Sequence, residues 1–166
     1  MTKPGIKIEI PNFAPNFFVR RIITDYTGTL SFGGRLISGV EDRLRRLKEL
    51  VEIDVLTADS FGTAREQLAA IPLDPRILEP GSRHDRDKKG YAGKHGPGHV
   101  AAFGNGNNDE LLLRVVRKAG GLAVAVDNGE GCSVLALKNT NIFIFGILNA
   151  LDLLLDPIRL KATLRK

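Results

Sequence analysis

The chain has 166 residues, 43% of them hydrophobic and 26% charged, which is the composition of one globular domain and not of a disordered polymer. Its longest apolar run, around Ile142 to Leu148, falls far short of the ~20 residues a membrane span needs. No basic-then-apolar leader opens it, and a single cysteine, Cys132, excludes an internal disulfide or a Cys-rich zinc site. One domain over residues 1–166, in a reducing cytoplasm, is the expectation. The net charge of +5 is scattered, and only 6% of residues are aromatic, which argues against a nucleic-acid partner.

Hydrophobic periodicity switches between strand and helix along the chain. Ile6 to Ile10 alternates like a half-exposed edge strand, and Val19 to Thr24 predicts a strand ending at Asp25. Gly33-Gly34, between Leu30 and Leu36, marks a hairpin turn, because paired glycines supply positive φ. Val40, Leu44, Leu47 and Val51 fall at helical spacing, and Ile53 to Leu56 predicts a strand ending at Thr57. A short helix over Thr63 to Ala70 stops at Pro72, and Arg76 to Leu78 reads as a short strand. Pro80 to Gly98, rich in Gly, His and Lys, has no apolar period and is expected to be irregular. His99 to Phe103 predicts a strand, and Asn108 to Ala119 a helix closed by Gly120-Gly121. Leu122 to Val126 and Asn141 to Phe145 predict apolar strands with a short helix between them. Ala150 to Leu155 and Pro157 to Leu164 predict terminal helices. Strands alternating with helices imply an α/β fold, three-layered and Rossmann-like, with a mainly parallel sheet.

In such sheets ligands bind beyond the carboxyl ends of the strands. Three predicted strands end in residues suited to phosphate chemistry: Asp25, Thr57, and the run Gly104-Asn105-Gly106-Asn107-Asn108-Asp109. Asp25-Tyr26-Thr27-Gly28-Thr29-Leu30 resembles the first motif of the haloacid dehalogenase-like superfamily, in the variant with Thr two positions after the Asp that P-type ATPases carry. Thr57 in Val55-Leu56-Thr57-Ala58-Asp59 matches the second motif, and Gly104 to Asp109 resembles the fourth. The resemblance spans nearly the whole chain and is strongest toward small stand-alone proteins called soluble P-type ATPase-like.

That resemblance implies a Mg²⁺-dependent phosphohydrolase acting on a small phosphate monoester, with Asp25 as the nucleophile that forms an aspartyl-phosphate. Thr27, Thr57 and Lys88 complete the implied catalytic set. Mg²⁺ would be held by Asp25, by the backbone carbonyl of Thr27, and by Asn105 or Asp109 in the fourth motif. Tyr26, Gly28, Thr57, Ala58, Lys88 and Asn108 would surround the phosphate. Lys88 best suits the family's spacing to Gly104, with Lys89 and Lys94 as alternatives.

Two residues depart from the pattern. Hydrolytic members carry a second Asp where Thr27 stands, and losing such an acid–base group costs about 10²–10⁴-fold. The fourth motif usually opens Gly-Asp, but Asn105 offers a carbonyl oxygen and no charge. Slow turnover, or a phosphate-binding regulatory domain without turnover, is therefore the alternative. The stretches from Asp25 to Thr57 and from Thr57 to Lys88 leave no room for a cap domain, and Ser31 to Ser38 is a candidate hairpin flap. An uncapped cleft favours exposed phosphate groups, or completion by a second subunit in a homo-oligomer. His84, His95 and His99 lack a matching ligand ladder for a transition metal.

Overall fold

A computed structural model describes residues 2–13 and 16–166. The chain opens with an antiparallel ribbon, β1 (Ile6–Ile8) against β2 (Phe17–Val19), then enters β3 (Arg21–Thr24). The hairpin β4 (Ser31–Phe32) and β5 (Arg35–Leu36) follows, then α1 (Val40–Lys48), β6 (Glu52–Thr57), α2 (Ala64–Leu68) and β7 (Arg76–Ile77). The second half runs α3 (His84–Lys94), β8 (Val100–Gly104), α4 (Glu110–Lys118), β9 (Leu122–Asp127), α5 (Val134–Lys138) and β10 (Ile142–Phe145). Helices α6 (Ile147–Leu155) and α7 (Pro157–Leu164) end it.

Six strands form one parallel sheet in the order β10-β9-β8-β3-β6-β7. Of its four inner strands, β8 is buried at every position and β9 at all but its last. Both faces are covered, as parallel sheets require. On one side Leu44 and Leu47 of α1, Leu151 of α6 and Leu160 of α7 join Ile22, Val55 and Val124 in one core. On the other, Ala92 of α3, Leu112 and Val116 of α4 and Ala136 of α5 pack on Ile23, Ala102 and Ala123. This is the expected three-layer Rossmann-like α/β architecture, with the small hairpin present and no cap domain. Among the described residues no helix is long and apolar enough to cross a membrane.

Two expectations need correction. The alternating N-terminal segment is a strand only over Ile6–Ile8, and it pairs with Phe17–Val19 in its own ribbon, outside the main sheet. The stretch expected to be irregular contains α3, eleven residues long. Its sequence shows no apolar stripe because the positions it buries, four apart, are Lys88 and Ala92. A lysine is scored as solvent-facing by any hydrophobic pattern.

Gly90 lies in the interior of α3 with open space where a Cβ would stand. We predict that Gly90→Ala raises stability by roughly 0.5–1 kcal/mol through the helix preference of alanine. A chemical denaturation midpoint that does not rise would contradict this.

Candidate active site

β3 lies between β6 and β8. The chain goes from β3 to β6 and β7 on one side, then crosses back to β8 on the other. Successive loops therefore diverge above β3 and open a crevice at the carboxyl edge. The crevice holds about 200 Å³. Asp25 and Thr27 line it from the turn after β3, Thr57, Ala58 and Ser60 from the loop after β6, and Asn105, Gly106 and Asn108 from the loop after β8. A larger hollow, about 500 Å³, lies at the loop joining β1 to β2 beside Lys161, away from these strand ends.

Asp25 is only 4% exposed. Its Oδ1 accepts the Tyr26 N–H at 2.8 Å and lies 3.3 Å from Lys88 Nζ, while no described residue donates to Oδ2. The turn beyond it needs Gly28, which has φ +75°. A Cβ there would stand 2.5 Å from Asn105 Nδ2. Thr27 Oγ1 is buried without a hydrogen-bond partner, a costly state for a hydroxyl unless a ligand supplies one. Thr57 Oγ1 accepts the Asp59 N–H at 3.0 Å, so its own proton is free to donate into the cleft.

Lys88 is fully buried, and its ammonium sits 2.7 Å from Asp109 Oδ1 as well as beside Asp25. Lys89 and Lys94, the alternatives, are exposed. Burial, the largest influence, lowers the Lys88 pKa, but Asp109 and Asp25 together raise it further, so it stays above the ordinary lysine value. Burial likewise pushes the Asp25 carboxyl up; Lys88 pulls it back and Asp109 adds to the rise, leaving it at about 6.

Asp109 is fully buried too. Its Oδ2 accepts the N–H groups of Asn105 and Gly106, each at 3.0 Å. Gly104 permits this fold-back, since a Cβ there would meet Asp109 Cβ at 2.5 Å. Asn105 Oδ1 accepts the Thr29 hydroxyl at 3.1 Å, and its Nδ2 donates to Gly131 O at 3.2 Å.

No family model matches the sequence. The uncharacterized protein MJ0073 of Methanocaldococcus jannaschii is 39% identical over 90 residues, which are 54% of this chain and 82% of that one. The chain belongs to the family of that archaeal protein. Solved structures extend the likeness to the whole fold. A 3-deoxy-D-manno-octulosonate 8-phosphate phosphatase of Moraxella catarrhalis, in complex with magnesium, phosphate and the sugar acid, aligns with TM-score 0.59 and 16% identity over 82% of this chain and 86% of its own. A haloacid dehalogenase-like family hydrolase of Streptococcus pneumoniae aligns with TM-score 0.59 and 14% identity over 81% and 97%. The fold is the haloacid dehalogenase-like one.

A hard cation needs oxygen donors. The Asp25 carboxylate and the Thr27 carbonyl are candidates, whereas Asp109 spends both oxygens on Lys88 and backbone N–H groups. Among the described residues no group of three or more His, Cys, Asp or Glu side chains could hold a metal ion. One open carboxylate with neutral oxygens still fits Mg²⁺, which keeps several waters and takes one or two carboxylates beside substrate phosphate.

Sequence reasoning missed two residues. Ser60 lines the cleft two positions past Ala58. Asn128 donates to Gly28 O at 3.0 Å and Thr29 O at 2.7 Å and accepts Ile147 N–H at 2.8 Å. It fastens the turn after Asp25 to the start of α6. Its sequence signal, a polar turn after an apolar strand, is too common to single it out. The histidines find other work: His84 and His99 bond to the backbone carbonyls of Glu79 and Phe18, and His95 packs on Tyr91.

In the metal-free protein, the raised Asp25 pKa contributes stability that is fully present below the unfolded value near 4. That contribution is lost as pH rises through about 6. We predict that Asp25→Asn is more stable than wild type at pH 7, by roughly 1–3 kcal/mol, and equal to it near pH 3. Lys88→Met should do the opposite, costing about 3–5 kcal/mol at pH 7 by leaving two carboxylates buried together. Denaturant unfolding of both variants in chelator across that pH range checks the two signs.

Proposed function

We propose that this protein is a Mg²⁺-dependent phosphohydrolase that cleaves phosphate monoesters through phospho-Asp25, with slow turnover. The observation that carries the reading is the buried Asp25–Lys88–Asp109 cluster at the switch point of the sheet, beside the unpaired Thr27 hydroxyl. In this reading residues 1–166 act as one catalytic domain of the soluble P-type ATPase-like kind, and the site faces the reducing interior of the cell.

The chemistry follows from the side chains. Asp25 Oδ2 attacks phosphorus, the bond to the ester oxygen breaks, and that oxygen leaves with its electron pair and takes a proton from solvent. Water then attacks the phosphoryl group, the Asp25–phosphorus bond breaks, and the carboxylate is regenerated with inorganic phosphate released. Lys88 offsets phosphate charge, while the Thr57 hydroxyl, the backbone N–H groups of Gly28 and Ala58, and the Asn108 amide hold its oxygens; the Tyr26 N–H is spent on Asp25 Oδ1. Asp25 and the Thr27 carbonyl, with Asn105 nearby, would hold Mg²⁺, which would supply neutralisation of phosphate charge. The Thr27 hydroxyl neither ionises nor takes up a proton near neutral pH, so both steps lack general acid–base help. The Moraxella phosphatase acts on a sugar-acid phosphate, which makes sugar phosphates the first substrate class to screen.

A second reading, a phosphate-binding regulatory domain with negligible turnover, draws on the same two positions, Thr27 and Asn105.

Hydrolysis of a generic aryl phosphate, assayed with wild type and Asp25→Asn prepared identically, is the test. Activity should be Mg²⁺-dependent, abolished in chelator and absent from Asp25→Asn. Thr27→Asp should raise kcat at least about tenfold, toward the 10²–10⁴ that an acid–base group contributes. Equal background in wild type and Asp25→Asn would transfer the case to the regulatory reading.

A further inference from the structure

Asn105 stands where the fourth motif usually places a carboxylate, and the structure gives it another task. Its Oδ1 is bonded to Thr29 of the turn after β3, its Nδ2 to Gly131 of the loop after β9, and its backbone carbonyl accepts the Ser133 N–H at 2.7 Å. One side chain thus ties three loops together at the cleft wall. The amide is required for this: an aspartate could keep the Thr29 bond but would set a carboxylate oxygen against the Gly131 carbonyl, with no donor to offer. Asp109 cannot compensate, because it is fully buried and each of its oxygens already accepts from Lys88 or from backbone N–H groups. Among the described residues that line the cleft, Asp25 is left as the one open carboxylate.

The electrostatics of that arrangement are specific. With Lys88 between Asp25 and Asp109, the site carries one net negative charge at neutral pH. A divalent cation alone finds a single carboxylate, too few charges to offset its dehydration. A phosphate dianion alone meets net repulsion. Together the two ligands neutralise one another and leave the charge of the site unchanged.

We propose, resting on the phosphohydrolase reading of this cleft, that Mg²⁺ and the phosphate group bind here cooperatively, each weakly alone and each raising the affinity for the other, because Asn105 is spent on holding the loops. Coupling of this kind is reciprocal. The same factor, roughly ten- to a hundredfold, must appear whichever ligand is titrated first.

Thermal unfolding of the full chain measures this without any turnover, because a ligand that binds only the folded state raises the melting temperature. MgCl₂ alone and inorganic phosphate alone should leave wild type nearly unmoved. Both together should raise its melting temperature, and Asp25→Asn should abolish that rise. Asn105→Asp should melt lower without ligands, through loss of the Gly131 bond, yet respond to MgCl₂ alone. The wild-type titrations decide the question even if Asn105→Asp does not fold. A shift with MgCl₂ alone, at a midpoint that phosphate does not change, would overturn the pairing while leaving the phosphohydrolase reading intact. No shift under any combination would overturn both.

Discussion

The arrangement of this cleft depends on one buried ammonium shared by two buried carboxylates. Lys88, Asp25 and Asp109 come from three separate elements, α3, the end of β3 and the loop before α4. Removing three charges from water costs several kcal/mol each unless they meet in good geometry with their remaining valences filled. That condition is met only when α3 docks on α4 and the Asn105–Gly106 backbone curls around Asp109. The ion cluster is thus a weak source of net stability and a strong constraint on relative position. It makes the site costly to assemble wrongly. It also explains why Gly104 must be glycine, since a side chain there would displace the carboxylate that holds the lysine.

The sheet was legible because its strands obey the simplest rule available. Inner strands of a parallel sheet are apolar throughout, and the sequence at β8 and β9 reads that way. α7 falls at Pro157–Leu164, where a proline at the first helical position announces it. α3 was not legible, and the reason is its buried charge. A helix whose buried face carries an ion-paired lysine, with glycine at positions 90 and 93, looks in sequence like a solvated loop. The residue that made the helix worth burying also erased the pattern that would have revealed it.

The candidate site divides along similar lines. Asp25, Thr57 and the run after Gly104 were readable because each terminates an apolar strand, and strand ends share one edge of a parallel sheet. The partners of individual oxygens were not readable. Spacing places Asn105 and Asp109 on one loop, but backbone N–H groups decide which oxygen remains open to the cleft. The choice among Lys88, Lys89 and Lys94 likewise turns on helical phase. Of the three, only Lys88 shares the inward face with Ala92.

The hairpin that follows the Asp25 turn completes the physical picture. The Gly34 carbonyl accepts from both the Tyr26 hydroxyl at 2.9 Å and the Thr63 hydroxyl at 2.6 Å, and Leu36 N–H donates to Gln67 at 2.9 Å. At its tip the Gly33 N–H donates to Glu130. Bonds to three different parts of the chain tie β4–β5 to the turn after β3, to the segment around α2 and to the loop after β9. An uncapped site of this kind cannot gain its low dielectric by closure, so the protein must provide it in advance, by burying Asp25, Lys88 and Asp109 before any ligand arrives. The cost of that choice falls on stability, through a carboxylate held above its ordinary pKa. The gain is electrostatic, because charges already stripped of water act at full strength on any charge that meets them, without reorganising.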